Sequence, residues 1–303
     1  MRSVMHVVAA VCMLALWLCA YTISAQNLDI WCVSGGDDGR GTGTVIRGPN
    51  GTVVLFDEGG DENETSEWAF ECDALLAEVG IEKIDHAIAS HYHVDHCYGL
   101  DNLTTTVDKC WDRGGTVTDD TQYGTPIPIP PPYMTAVAGE GRRNTVTVDG
   151  TTDIDLGNGA ILRFLSVGAT DTTQYADIRG GGTVAVYTEN NKSITALVTY
   201  GGFDFYVGGD AEGTIEKAVD DVVVTTLGRH VDVLHIDHHG SDANEISSAE
   251  FLGNMDPEVC ITSVWSNNYG HPTENTMDRV DAVVESGKYS NIRLRRGSGA
   301  DDV

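Results

Sequence analysis

The chain has 303 residues and a formal net charge of -28, with 46 acidic residues against 18 basic ones. So acidic a surface repels polyanions at low ionic strength and gains little from counterion release unless a basic groove is set into it, while it keeps a protein soluble in strong salt. After residue 25 no apolar run is long enough to span a bilayer.

Arg2 precedes an apolar run from Val7 to Tyr21 and a small-residue end, Ile23-Ser24-Ala25. That layout predicts a secretory signal peptide over residues 1–25, and a secreted, periplasmic or cell-surface location. The remaining residues, 26–303, suffice for one large single-core domain. Its five cysteines, Cys32, Cys72, Cys97, Cys110 and Cys260, have no C-x-x-C spacing, which argues against a zinc ribbon, and allow at most two disulfides. Asn50, Asn63, Asn102 and Asn191 head N-x-S/T sequons.

Apolar alternation and glycines from Leu28 to Gly59 predict two or three strands, with a hairpin between Thr44-Arg47 and Val53-Phe56 around Gly48-Pro49-Asn50-Gly51. Glu67 to Val79 reads as an amphipathic helix that buries Trp68, Cys72, Leu75, Leu76 and Val79, capped by Thr65 or Ser66. Ile84 to Ala89 is a short buried strand. It delivers the chain to Ser90-His91-Tyr92-His93-Val94-Asp95-His96, where three imidazoles and a carboxylate fall within six residues. In extended backbone, residues i and i+2 face the same way, so His91 and His93 can chelate one ion. Asp95 and His96, beyond a turn, can serve a second. Such a concentration of costly-to-bury groups at a strand end points to metal.

A second helix is expected after Gly99, and the Gly-, Pro- and Thr-rich region 112–150 reads as a long surface excursion over the site. Strands resume at Ile161-Leu165, Ile194-Tyr200 and Phe203-Val207, the last two joined by a tight turn at Gly201-Gly202. A helix follows Asp210 with Ile215, Val219 and Val222 on its buried stripe. Val231 to Ile236 is a strand ending at His238-His239-Gly240-Ser241, Val259 to Thr262 another, and Thr273 caps a last helix bearing Met277, Val280 and Val284. Alternating strands and helices in both halves predict a layered α/β protein, sheets inside and helices outside. His86 and His235 lie inside strands and read as packing or surface residues.

Candidate ligands thus gather at strand ends: Asp57, the His91–His96 cluster, Asp210 and His238/His239. The chain resembles the metallo-β-lactamase superfamily, whose H-x-H-x-D-H signature is met by His91, His93, Asp95 and His96. More narrowly, it is similar to the hydrolase domain of the competence protein ComEC/Rec2. Four stretches carry that likeness: Pro49-Asn50-Gly51 with Phe56-Asp57, Glu189 to Ser193 with Gly208-Gly209-Asp210, Asp232 to Ser241, and Asn268-Tyr269-Gly270-His271-Pro272. The resemblance implies an α/β fold of four layers, an αββα sandwich, with two divalent ions between the sheets, zinc ahead of manganese. His91 and His93 would hold one ion. Asp95, His96 and a histidine of the His238-His239 pair would hold the other, Asp210 would bridge, and Asp57 would orient the shell. The implied nucleophile is a water shared by the ions, aimed by Asp95. His271 would donate a proton or bind an oxyanion, if it is more than a turn residue. Ser241 would either bind a phosphate or cap the following helix.

Two departures stand out. There is no histidine between His96 and His230, where many superfamily members carry one, and Gly35-Gly36-Asp37-Asp38-Gly39 replaces the more usual G-Q-G-D. The missing imidazole is shared with the ComEC-like branch. It shifts the expectation from a lactone or β-lactam to a phosphoester, either a small molecule or single-stranded nucleic acid, cleaved by a phosphodiesterase or nuclease. The alternatives are a lactone/β-lactam hydrolase on the same fold and a non-catalytic metal-binding exoprotein. No protein partner is inferred. Local basic patches could come from Arg142-Arg143 and from Arg293, Arg295 and Arg296.

Overall fold

The computed structural model describes residues 27–34, 41–60, 65–118, 127–170, 174–264, 267, 269–284 and 290–294. Residues 1–25, where a signal peptide is expected, the Gly35–Gly39 stretch, Arg295 and Arg296 lie outside these.

Among the described residues three strands come first: β1 (Asp29–Ser34), β2 (Thr42–Arg47) and β3 (Val53–Phe56). The expected hairpin joins β2 to β3, and Gly51 takes φ +89 at its turn. Helix α1 (Thr65–Glu78) and β4 (Lys83–Ile88) follow, then a single turn, α2 (Val94–Cys97), and β5 (Thr106–Asp112). No long helix follows Gly99. Only a 3₁₀ turn, Gly99–Asn102, fits before β5, because Asp73 of α1 accepts hydrogen bonds from Thr104 and Thr105 and pulls the chain straight into the strand.

The region after β5 is no mere surface excursion. A two-stranded ribbon, β6 (Val117–Thr118) with β7 (Ile127–Pro128), leads to α3 (Pro131–Ala136) and β8 (Arg143–Thr145), which extends the first sheet beside β5. Pro131 and Pro132 start α3, where a missing N–H costs nothing. Ile129, Tyr133, Ala136 and Val137 enter the core. Proline and threonine content concealed this.

The second half supplies β9 (Ile154–Gly157), β10 (Ala160–Gly168), β11 (Tyr175–Ile178), β12 (Thr183–Ala185), β13 (Thr195–Tyr200), β14 (Phe203–Val207), α4 (Gly213–Asp221), β15 (Val233–His235), α5 (Ala249–Met255), β16 (Val259–Ser263), α6 (Glu274–Val284) and β17 (Ser290–Leu294). Thr273 Oγ1 accepts from Thr276 N at the start of α6, as its capping role requires.

The strands form a six-stranded sheet, β1-β2-β3-β4-β5-β8, and a nine-stranded sheet, β12-β11-β10-β13-β14-β15-β16-β17, with β9 also on β10. Between them lies one apolar layer, in which Ile46, Val54, Phe56 and Ile88 meet Leu162, Phe164, Ala196, Val198 and Phe205. Trp68, Cys72 and Leu76 of α1, with α3, cover the outer face of the first sheet; α4, α5 and α6 cover that of the second. The layers are therefore αββα. In both sheets the central strands are parallel: β3, β4 and β5 in one, β14, β15 and β16 in the other. Their carboxyl ends gather at one edge, where rigid backbone can hold ligands.

Candidate metal centre

Asp57 follows β3, His91 follows β4, Asp210 follows β14 and His238-His239 follow β15. Two devices close the sheet ends on each other. Ile194 N donates to Ser90 O across the gap. Gly209, at φ +59, passes so close to Ser90 that a Cβ there would lie 2.3 Å from Ser90 Oγ, so only glycine lets Asp210 reach the imidazoles.

The buried Asp210 carboxylate is the hub. Its Oδ1 lies 3.0 Å from His96 Nε2 and 3.5 Å from His239 Nε2. Its Oδ2 lies 3.8 Å from His91 Nε2 and 3.5 Å from His238 Nε2. His239 Nε2 is also 3.5 Å from Asp95 Oδ2, and His91 Nε2 is 3.1 Å from His93 Nδ1. Two nitrogens on a tetrahedral zinc ion at its usual bond length are about 3.3 Å apart. The donor pairs therefore stand at the separations that shared coordination demands. His96 Nε2 and Asp210 Oδ1 are buried and make no well-formed hydrogen bond, so protein alone does not satisfy them. Two compact donor sets result: His91, His96 and Asp210, and Asp95, His96 and His239. His96 has one free ring nitrogen, its Nδ1 being engaged by Asp57, so it would serve one set or the other; the donors fit divalent metal held around Asp210. His93 adjoins the centre through His91, and His238 lies on the Oδ2 side.

Charge in the centre is balanced internally. Burial opposes ionisation of Asp210, yet His96, His238 and His239 outweigh it and hold the carboxyl well below the usual range. Asp95 is lowered as well, burial being overcome by His96 and His239. Burial, helped by His96 and His93, drives the His91 imidazole well below its ordinary value and keeps it a lone-pair donor. Burial is overcome at His96 by Asp210, Asp57 and Asp95, and at His239 by Asp210 and Asp95, so both rise. Divalent cations binding here would displace those protons.

Asp57 sits behind the cluster at φ +64, a strained conformation for a residue with a side chain. Its Oδ1 accepts from Ser90 N and its Oδ2 from Ser90 Oγ, and Oδ2 is 2.8 Å from His96 Nδ1. Ser90 Oγ in turn is 3.0 Å from His91 Nδ1. One carboxylate therefore sets the tilt of two imidazoles, and Ser90 is the link that spacing could not reveal. His239 Nδ1 faces Ser263 O at 3.2 Å, which turns its Nε2 to the centre. His238 faces Asn190 and, at 5.6 Å between rings, His271. His271 thus reaches the rim rather than the donor sets. Ser241 Oγ accepts from Ala243 N and so stabilises the next turn.

A buried ion pair that sequence reasoning missed supports the cluster. Arg113 binds both carboxylate oxygens of Glu189, and Glu189 Oε1 accepts from Tyr92 N between the two histidines. Arg143 is engaged with Asp112 and Tyr92 Oη, so it forms no basic patch. His86 accepts from Trp111 and His235 meets Ser263 Oγ, both structural contacts. Cys32, Cys72, Cys97, Cys110 and Cys260 are all free thiols.

Comparison with known proteins follows the same lines. The metallo-beta-lactamase superfamily model matches residues 36–264. No functionally curated protein matches the sequence. Among solved structures, Tm1679, described as a metal-dependent hydrolase of the beta-lactamase superfamily, is similar at 15% identity and a TM-score of 0.54, over 89% of this chain and 97% of that one. A variant of CmlA beta-hydroxylase is similar at 16% identity and a TM-score of 0.48, over 88% of this chain and 52% of that one. Zinc-bound PqqB from Methylobacterium extorquens stands at 12% identity and a TM-score of 0.45, over 84% of this chain and 85% of that one. With the fold, the edge-on donor sets and a family match spanning most of its length, the chain belongs to the metallo-beta-lactamase superfamily.

Proposed function

We propose that this chain is an exported, metal-dependent hydrolase of phosphoester bonds, a phosphodiesterase or nuclease of the branch that resembles the ComEC/Rec2 hydrolase domain. The observation that carries the reading is the split of Asp210, one oxygen toward His96 and His239 and the other toward His91 and His238. A carboxylate so placed suits two ions rather than one. Bound ions would supply Lewis acidity, activating water near neutral pH and offsetting charge on phosphoryl oxygens.

The chain's own groups do the rest. Asp95 accepts a proton or hydrogen bond at Oδ2 and aims the attacking water. Asp57 and Ser90 hold His96 and His91 in register. His271, on the rim, stabilises or protonates the departing oxygen. Two acids near the cluster are engaged elsewhere, Glu189 by Arg113 and Glu212 by Asn191, so neither stands in for the absent middle histidine. A phosphoryl oxygen of the substrate would supply to a bound ion what that histidine supplies elsewhere. Export rests on the sequence pattern of residues 1–25, which reads as a signal peptide.

Metal-loaded protein tested on bis-p-nitrophenyl phosphate and nitrocefin decides the matter. The expected result is turnover of the diester only, with zinc or manganese. Metal bound without diester turnover overturns the proposal, and nitrocefin turnover alone selects the β-lactam reading.

A further inference from the structure

Three aromatic rings descend from solvent to the metal centre. Tyr269 is 66% exposed and stacks on His271 with 6.0 Å between centroids and 15° between planes. His271 meets His238 edge-on at 5.6 Å, and His238 Nε2 is 3.5 Å from Asp210. Hydrogen bonds among described residues brace the outer two rings. Asn267 Oδ1 accepts from both Tyr269 N and His271 N, Asn267 Nδ2 donates to His271 O, and Thr273 N donates to Gly240 O. Gly240, at φ +76, makes the fit possible, since a Cβ there would lie 2.7 Å from Pro272. Such bracing holds Tyr269 in place while leaving it largely open to solvent.

Polar atoms on both sides of His238 await a partner. Asn190 is 9% exposed, its Nδ2 is 3.5 Å from the His238 ring nitrogens, and its Oδ1 is buried without a hydrogen bond; His271 Nδ1 is likewise buried and unsatisfied. Buried polar atoms left unmade are costly, so a ligand that fills them is favoured.

We infer that Tyr269 and His271 form a stacking step for a planar ring carried by the substrate beside its phosphate, with Asn190 and His271 Nδ1 binding the polar groups between. A nucleobase on a short nucleotide meets both demands, and every base has a π-face. The inference rests on the phosphoester reading, because phosphate at the centre is what places the ring over Tyr269.

Calorimetric titration of the metal-loaded protein with thymidine 5′-phosphate and with deoxyribose 5-phosphate isolates the ring. The expected result is tighter binding of the nucleotide by about tenfold or more. Tyr269→Ala removes that preference and Tyr269→Phe keeps it. Equal binding of the two phosphates, binding of neither, or a preference that survives Tyr269→Ala overturns the inference. The two claims fail separately. An intact ring preference without turnover of bis-p-nitrophenyl phosphate refutes hydrolysis alone, and turnover without ring preference refutes the stacking step alone.

Discussion

Asp57 shows how one side chain governs several others. It takes hydrogen bonds from Ser90 and pairs with His96, and through Ser90 it reaches His91. Asp57→Asn keeps the shape and loses the charge, so metal affinity should fall by about 10- to 100-fold, as read by chelator competition. His235 offers a second residue-scale test. Burial, with His239 nearby, pushes its imidazole down to about 4 from an ordinary 6.5. A depressed folded-state value means that the unfolded chain binds the extra proton first. The stability His235 contributes is therefore whole above pH 6.5 and is lost as pH falls toward 4. Melting temperatures across that window should drop more steeply for the natural chain than for His235→Gln; parallel curves would contradict this. At this scale the sequence was most legible where candidate ligands are neighbours in the chain, as in His91 to His96. It was silent on Ser90, whose role depends on Asp57, and on how His238 and His239 differ. That difference arises from two consecutive left-handed residues, at φ +48 and +54, which turn His239 toward Asp95 and His238 toward Asn190.

Between elements, the Arg113–Glu189 pair ties the end of β5 to the loop before β13 and steadies Tyr92 in the candidate metal-binding turn. Neither side chain is exposed. Arg113→Met strands a buried carboxylate and should cost about 3–5 kcal/mol, measured as a lower denaturant midpoint with unchanged slope. The Arg113→Met, Glu189→Gln double variant should recover part of that loss. Elements with a plain period were readable: the β2–β3 hairpin, α1, β10, β13 and α6 lie where alternation or helical spacing puts them. The turn after Gly99 and the core-forming stretch around Tyr133 were not, because side-chain bonds from Asp73 and Asp112 decide them. Such bonds join residues some twenty to thirty positions apart and leave no local pattern.

For the molecule as a whole, the charge of -28 sets the conditions of work. An anionic substrate approaches against a repulsive field that salt screens over about 8 Å at physiological strength. KM for a phosphodiester anion should therefore fall as sodium chloride rises, while an uncharged ester is indifferent. A KM that rises with salt would point to a basic groove outside the described residues. The αββα layering serves one end, bringing the parallel strand ends of two sheets to a common edge so that Asp210 stands among His91, His96, His238 and His239. Anomalous scattering at the zinc edge from crystals of metal-loaded protein tests that arrangement directly. Two peaks flanking Asp210, one beside His91 and one beside Asp95 and His239, are the predicted result. A single peak, or none within reach of Asp210, would contradict it.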